Sequence, residues 1–156
     1  MSNSIGELAP SFVLKDTDLQ DANLEEYRGQ NVVLVFFPLA FSGICTDQMC
    51  TLNENLQALN SLEAKVFGIS VDSPFTLKKF KEVNQLEFPL LSDFNKTVCQ
   101  AYDAFYEEFV LGLKGVAKRA VFVIDKEGKI QYQEILENAK NLPNFDALEL
   151  EVSKLS

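Results

Sequence analysis

The sequence predicts an α/β domain, a central mixed β-sheet flanked by helices. Three observations lead there. Residues 31–37 (NVVLVFF) form a run dominated by β-branched and aromatic side chains, long enough for a strand buried on both faces and too short for a buried helix. From Cys45 onward, Met49, Leu52, Leu56 and Leu59 recur at spacings of four, three, four and three, the apolar stripe of an amphipathic helix. Further along, residues 119–125 (RAVFVID), the turn at 126–129 and residues 130–135 read as a β-hairpin, so part of the sheet is antiparallel.

The remaining elements fill in this frame. Residues 65–70 (KVFGIS) are the next strand, followed by the turn Asp72-Ser73-Pro74 and a helix to about Asn84 that turns Leu77, Phe80 and Val83 inward. Strand, helix, strand, helix predicts parallel pairing. After residues 88–91 (FPLL), a second amphipathic stretch puts Val98, Tyr102, Phe105 and Phe109 on one face, with a looser segment around Gly112 and Gly115. Residues 144–155 close the chain as an amphipathic helix. A βαβ half followed by a ββα half is the thioredoxin-like layout. No linker, repeat or second core interrupts it, so residues 1–156 are expected to form one domain.

The 156 residues, 47% of them hydrophobic, can bury a core without disulfide or metal staples. The net charge of −9 disfavours nucleic acid and anionic membrane surfaces as partners, since both reward basic patches. No apolar run approaches the roughly 20 residues needed to span a bilayer, and Met1-Ser2-Asn3-Ser4 lacks the regions of a signal peptide, so cytoplasmic residence is expected. Three cysteines in a reducing compartment read as chemistry or core. There is no histidine, which removes the usual general base, the commonest metal ligand and every Cys-His pair.

Residues 38–45 (PLAFSGIC) place Cys45 at the carboxyl end of a parallel strand and the start of a helix, where α/β folds concentrate catalysis. Unpaired N–H groups and the positive end of the helix dipole favour a thiolate there. Ser42 can present a hydroxyl beside it, and Pro38 ends the strand without an N–H to compete for the site. Of two arginines, Arg28 lies in a polar turn and reads as solvated, whereas Arg119 opens a strongly apolar strand. An arginine there needs an anionic partner. Without histidine it is the fixed cation available to Cys45; a surface or ion-paired arginine is the alternative.

PLAFSGIC resembles the peroxiredoxin signature of Pro, three residues, Thr or Ser, two residues and the peroxidatic Cys. GELAPSF (6–12), GISVDSP (68–74), FPLLSD (88–93) and RAVFVID (119–125) are similar to further family elements, so the likeness spans nearly the whole chain. The resemblance implies a thioredoxin-like fold with an N-terminal extension and an insertion, and a thiol-dependent peroxidase needing no cofactor or metal. Pro38 would shield the thiolate, Ser42 hydrogen-bond the peroxide, Cys45 attack it to give a sulfenic acid, and Arg119 steady the charge. Ser42 stands where Thr is commoner. Gln48 occupies a position where the family often carries Glu or Gln; a solvated helix residue is the competing reading.

The spacing of Cys45 and Cys50 resembles the peroxiredoxin Q, or bacterioferritin comigratory protein, branch, which implies that Cys50 resolves the sulfenic acid as an intramolecular disulfide reduced by thioredoxin or another small dithiol protein. In a regular helix, positions i and i+5 lie about 8.7 Å apart between Cα atoms, beyond the disulfide limit of about 7 Å, so the helix would have to unwind. Cys50 sits off the apolar stripe, beside Glu54 and Gln57. FFPLAFSGIC equally resembles the alkyl hydroperoxide reductase E branch, whose members work with one cysteine and an external thiol, leaving Cys50 incidental. Cys99 borders the Val98–Tyr102 stripe and reads as a small core hydrophobe, with a resolving role left open.

Rival functions fit less well. A dithiol–disulfide oxidoreductase expects C-x-x-C, three thiols without histidine lack zinc spacing, and a non-catalytic interaction module has no reason to carry Pro38, Ser42, Cys45 and Arg119 together. Leu39, Ala40, Phe41 and Ile44 would admit an organic tail on the hydroperoxide. The preferred peroxide and the choice between monomer and homodimer stay open.

Overall fold

The computed structural model describes residues 4–155. The start read at Met1-Ser2-Asn3 and the final position of the expected domain, Ser156, lie outside the described residues.

The apolar run becomes β3 (Asn31–Phe36), all six residues buried. Successive side chains point to opposite faces: Val32, Leu34 and Phe36 join one core with Phe67, Tyr102 and Phe122, while Val33 and Val35 join a second with Met49, Leu52, Phe80 and Leu148. Two apolar layers on one strand require neighbours on both sides. β3 pairs in parallel with β4 (Ala64–Ser70), Val33 opposite Val66. It pairs antiparallel with β8 (Arg119–Ile124), Val33 opposite Val123.

β5 (Leu90–Ser92) extends the parallel part beside β4. Outside it lie β1 (Val13–Asp16) and β2 (Asp21–Asn23), both antiparallel to their neighbours. β9 (Ile130–Leu136) closes the other side as the hairpin partner of β8. The resulting seven-stranded order is β2-β1-β5-β4-β3-β8-β9. The expected mixed sheet, parallel βαβ half and antiparallel hairpin are all present.

Helices α1 (Gly43–Glu54), α2 (Leu56–Ser61), α3 (Pro74–Asn84) and α5 (Phe145–Ser153) contribute to the second core. Short α4 (Thr97–Ala101) covers the first with Val98 and Cys99. Local chemistry starts α3: Ser73 Oγ accepts from Thr76 N–H at 3.2 Å, and Pro74 supplies the fixed φ of the first turn. Asn144 caps α5 in the same way, accepting from Ala147 N–H at 2.9 Å.

Three expectations are corrected. The stripe from Cys45 to Leu59 is split, because Asn55 leaves helical geometry (φ −95°, ψ 1°) and its side chain donates to Thr51 O; the apolar spacing survives the break. Val83 is exposed, since Leu77 and Phe80 already fill the buried face of α3. The stretch from Val98 to Phe109 is not one helix. Asp103 turns into the left-handed region (φ +58°) and Ala104 N–H bonds back to Cys99 O at 2.8 Å. Beyond it β6 (Phe105–Tyr106) pairs with β7 (Val116–Ala117) as a separate two-stranded ribbon. Aromatic residues at helical spacing there serve a ribbon, with Phe109 stacked on Tyr106.

Gly68 shows how tightly β4 packs against Leu90 of β5 and Phe88 before it. A Cβ at this position would lie 2.6 Å from Leu90 Cδ2 and 3.2 Å from Phe88 Cε2, with Met49 Sδ at 3.5 Å. Gly68→Ala is expected to cost about 1–3 kcal/mol of stability through overpacking. Urea unfolding would read this as a lower midpoint at unchanged slope; an unchanged midpoint would contradict the packing described.

Candidate active site

Backbone bonding leads the chain out of the sheet to the site. Phe37 N–H still donates to Ile69 O at 3.0 Å, after which buried Pro38 has no N–H to extend the ladder. Phe41 adopts φ +70° and turns the chain. Ser42 is the N-cap of α1 by backbone, its carbonyl accepting from Thr46 N–H at 2.9 Å. Its hydroxyl makes no capping bond and donates instead to Leu39 O at 3.0 Å. Cys45 is the third residue of α1, fully buried, and its N–H belongs to the first turn, where donors lack intrahelical partners.

Arg119, only 2% exposed, reaches this sulfur from the first position of β8. Its Nη1 donates to Cys45 Sγ at 3.1 Å and to Gln48 Oε1 at 2.8 Å, and its Nε donates to Ala139 O at 3.1 Å. Gln48 is also fully buried and donates through Nε2 to Phe36 O at 3.2 Å. One guanidinium thus joins the first turns of α1 and the segment between β9 and α5, and Gln48 extends the network to the end of β3. These acceptors are a sulfur, an amide oxygen and a backbone carbonyl. The sulfur is the one among them that can carry a compensating negative charge, which a buried guanidinium demands.

The sequence-derived residues therefore divide by geometry. Arg119 is in direct contact with Cys45 and Gln48; Pro38 and Ser42 lie in the loop before α1. Cys50 is half-buried and turned toward α3, where its thiol donates to Asn84 Oδ1 at 3.7 Å. Burial first, then the carboxylates of Asp47 and Glu54, raise its pKa above the ordinary 9.0. Cys99 is fully buried in the other core and donates to Lys96 O at 3.6 Å. Burial and then the charge of Asp93 push its thiol far up. All three are free thiols. Arg28 is more than solvated: it pairs with Glu25 at 3.2 Å and donates to Glu127 O at 3.0 Å.

Sequence reasoning missed three contributors. Ala139 acts through a backbone carbonyl, which leaves no trace in residue type. Tyr106 fixes the same segment by donating its phenol toward Leu136 O and Glu137 O, each at 3.0 Å; the aromatic spacing around it was assigned to a helix. The sequence marks Asp72 as a turn residue within the family-like GISVDSP stretch but assigns its carboxylate no contact; the carboxylate accepts from Ala40 N–H at 2.8 Å.

A buried thiol in the first turn of a helix, bonded to a buried arginine that opens an antiparallel strand of a thioredoxin-like sheet, is the arrangement expected of a thiol peroxidase. Comparison with known proteins agrees. Residues 5–133 match the AhpC/TSA family, and the chain belongs to that family, the peroxiredoxins, which are thiol-dependent peroxidases. It is 40% identical over 135 residues to alkyl hydroperoxide reductase E of Mycobacterium tuberculosis, covering 85% of each chain. It is 38% identical over 129 residues to peroxiredoxin Bcp of Escherichia coli, covering 81% of this chain and 82% of that one. Among solved structures, a peroxiredoxin-like protein from Aquifex aeolicus superposes with a TM-score of 0.91 at 28% identity, covering 100% of this chain and 90% of the other.

The environment of Cys50 has a measurable consequence. In a Cys45→Ser background, its alkylation rate should climb about tenfold per pH unit up to pH 9.0 and continue to rise above it. Peptide mass mapping of timed iodoacetamide reactions reads the rate; a plateau below pH 9.0 would contradict the raised value.

Proposed function

We propose that the Cys45 thiolate is the nucleophile of the peroxidase reaction. Its sulfur attacks the terminal oxygen of a hydroperoxide, the S–O bond forms as the O–O bond breaks, and the departing alkoxide or hydroxide takes up a proton as alcohol or water. Cys45 is left as the sulfenic acid. The observation that carries this reading is the 3.1 Å contact from Arg119 Nη1 to Cys45 Sγ inside a buried network.

Arg119 sets a permanent positive charge against the sulfur and presents donors to the oxygens as charge moves from S toward the leaving group. Gln48 holds the guanidinium in register. Ser42 contacts the peroxide, and Pro38, buried and without an N–H, keeps one side of the thiolate free of competing donors. Cys50 then attacks the sulfenic acid, forming the Cys45–Cys50 disulfide and releasing water. A thioredoxin-type dithiol reduces that disulfide, a cycle suited to the reducing cytoplasm. Among the described residues no helix is long and apolar enough to cross a membrane.

A single-cysteine cycle is the second reading, and one observation favours it: Cys50, five residues after Cys45 on α1, turns its thiol to Asn84 of α3, with its ionisation suppressed. Resolution by Cys50 requires the start of α1 to open.

Cys45→Ser is expected to abolish hydroperoxide consumption while leaving the fold intact by circular dichroism; retained activity would remove Cys45 from the mechanism. Intact mass after one equivalent of peroxide separates the two cycles. Loss of two hydrogens in the wild type, replaced by gain of one oxygen in Cys50→Ser, is expected from resolution by Cys50. Gain of one oxygen in both would support the external-thiol cycle.

A further inference from the structure

Asp72 lies at the end of β4, outside the arginine network, yet its carboxylate grips the loop that precedes α1. Oδ2 accepts from Ala40 N–H at 2.8 Å and from Ser70 Oγ at 2.7 Å. Ser92 Oγ donates to the Asp72 carbonyl at 2.7 Å, and Ser70 Oγ accepts from Asp72 N–H at 3.2 Å. Both serines are buried; Ser70 holds the carboxylate and Ser92 the backbone carbonyl, so the residue is anchored from two strands.

The contact to Ala40 does not end there. Ala40 N–H and Leu39 C=O are the two ends of one planar peptide unit, and Leu39 O is the atom that accepts the Ser42 hydroxyl at 3.0 Å. Fixing the N–H end in space fixes the carbonyl end. An anionic acceptor on the N–H also polarises the amide and strengthens its oxygen as an acceptor. The Ser42 proton is therefore committed to Leu39 O, and the hydroxyl oxygen has only lone pairs to offer a ligand.

We infer that Asp72 is a positioning residue that acts through the peptide joining Leu39 to Ala40 to hold the Ser42 hydroxyl as a hydrogen-bond acceptor for the O–H of the hydroperoxide. This rests on the proposed contact between Ser42 and the peroxide. With Asp72 in place, Ser42 receives the peroxide proton donor in a single orientation, which aims the O–O bond relative to Cys45 Sγ. Without it the peptide can rotate, the hydroxyl becomes a free rotor, and the peroxide loses its fixed acceptor.

A double-mutant cycle tests the relay, since residues that act in series are non-additive. The rate constant for oxidation of Cys45 by peroxide would be measured by quenched-flow mass spectrometry for wild type, Asp72→Ala, Ser42→Ala and the double variant. Each single variant is expected to lose about tenfold, and Asp72→Ala to cost less than about twofold once Ser42 is already alanine. Asp72→Asn keeps an oxygen to accept from Ala40 N–H; it should lose only about two- to fourfold, also absent in the Ser42→Ala background, and it runs the same cycle if Asp72→Ala does not fold. Additive losses, or an impaired Ser42→Ala beside an unaffected Asp72→Ala, would overturn the relay while leaving the Ser42 contact standing. An unaffected Ser42→Ala would overturn the contact itself and the relay with it.

Discussion

The buried guanidinium of Arg119 is the constraint around which the rest of the site is arranged. An arginine that is 2% exposed has surrendered most of its hydration, and that loss is offset only by well-placed acceptors. Three are supplied from two parts of the chain: a thiol and an amide oxygen from α1 and a carbonyl from the segment before α5. The position of β8 makes this possible. Its antiparallel register on β3 places Phe36 opposite Ala120, so Arg119 stands one residue beyond the pair at the end of β3, where α1 also begins to approach.

In the proposed mechanism the same constraint takes the place of a histidine. A Cys-His pair makes its own thiolate by proton transfer, whereas here the stabilising charge is permanent. Helix geometry adds to it, since Cys45 stands in the first turn of α1, where free N–H groups and the dipole act in the same direction as the arginine. The cost is rigidity. Cys45 is fully enclosed, and Met49, Leu52 and Gln48 on the same helix are buried as well. Any step that brings Cys50 to Cys45 has to release part of this packing, beginning at the end of α1 that the Arg119 bond holds.

Much of this was legible in the chain. β3 could be read because residues 32–36 are apolar and fill two faces, and β8 because the same holds after Arg119. The pairing of Cys45 with Arg119 was legible by elimination, with no histidine and one arginine out of place in an apolar strand. Other parts left little trace. β1 and β2 are short and half-exposed, and Val13, on the outer part of the sheet, points to solvent. The run from Val98 to Phe109 keeps helical spacing, yet Asp103 accepts a left-handed conformation that reverses the chain; periodicity cannot register one backbone angle. The contributions of Ala139 and of the peptide linking Leu39 to Ala40 are made by backbone atoms, which every residue type shares.

The central claim is that Arg119 activates Cys45 directly. The most direct measurement is the second-order rate constant for oxidation of Cys45 by hydrogen peroxide in Arg119→Met, whose side chain replaces the buried guanidinium with an apolar group of similar length. Removing a preorganised cation from the reacting atoms should lower the rate constant by about 100-fold or more, with the fold retained by circular dichroism. A folded Arg119→Met protein that reacts within about threefold of the wild type would contradict the account.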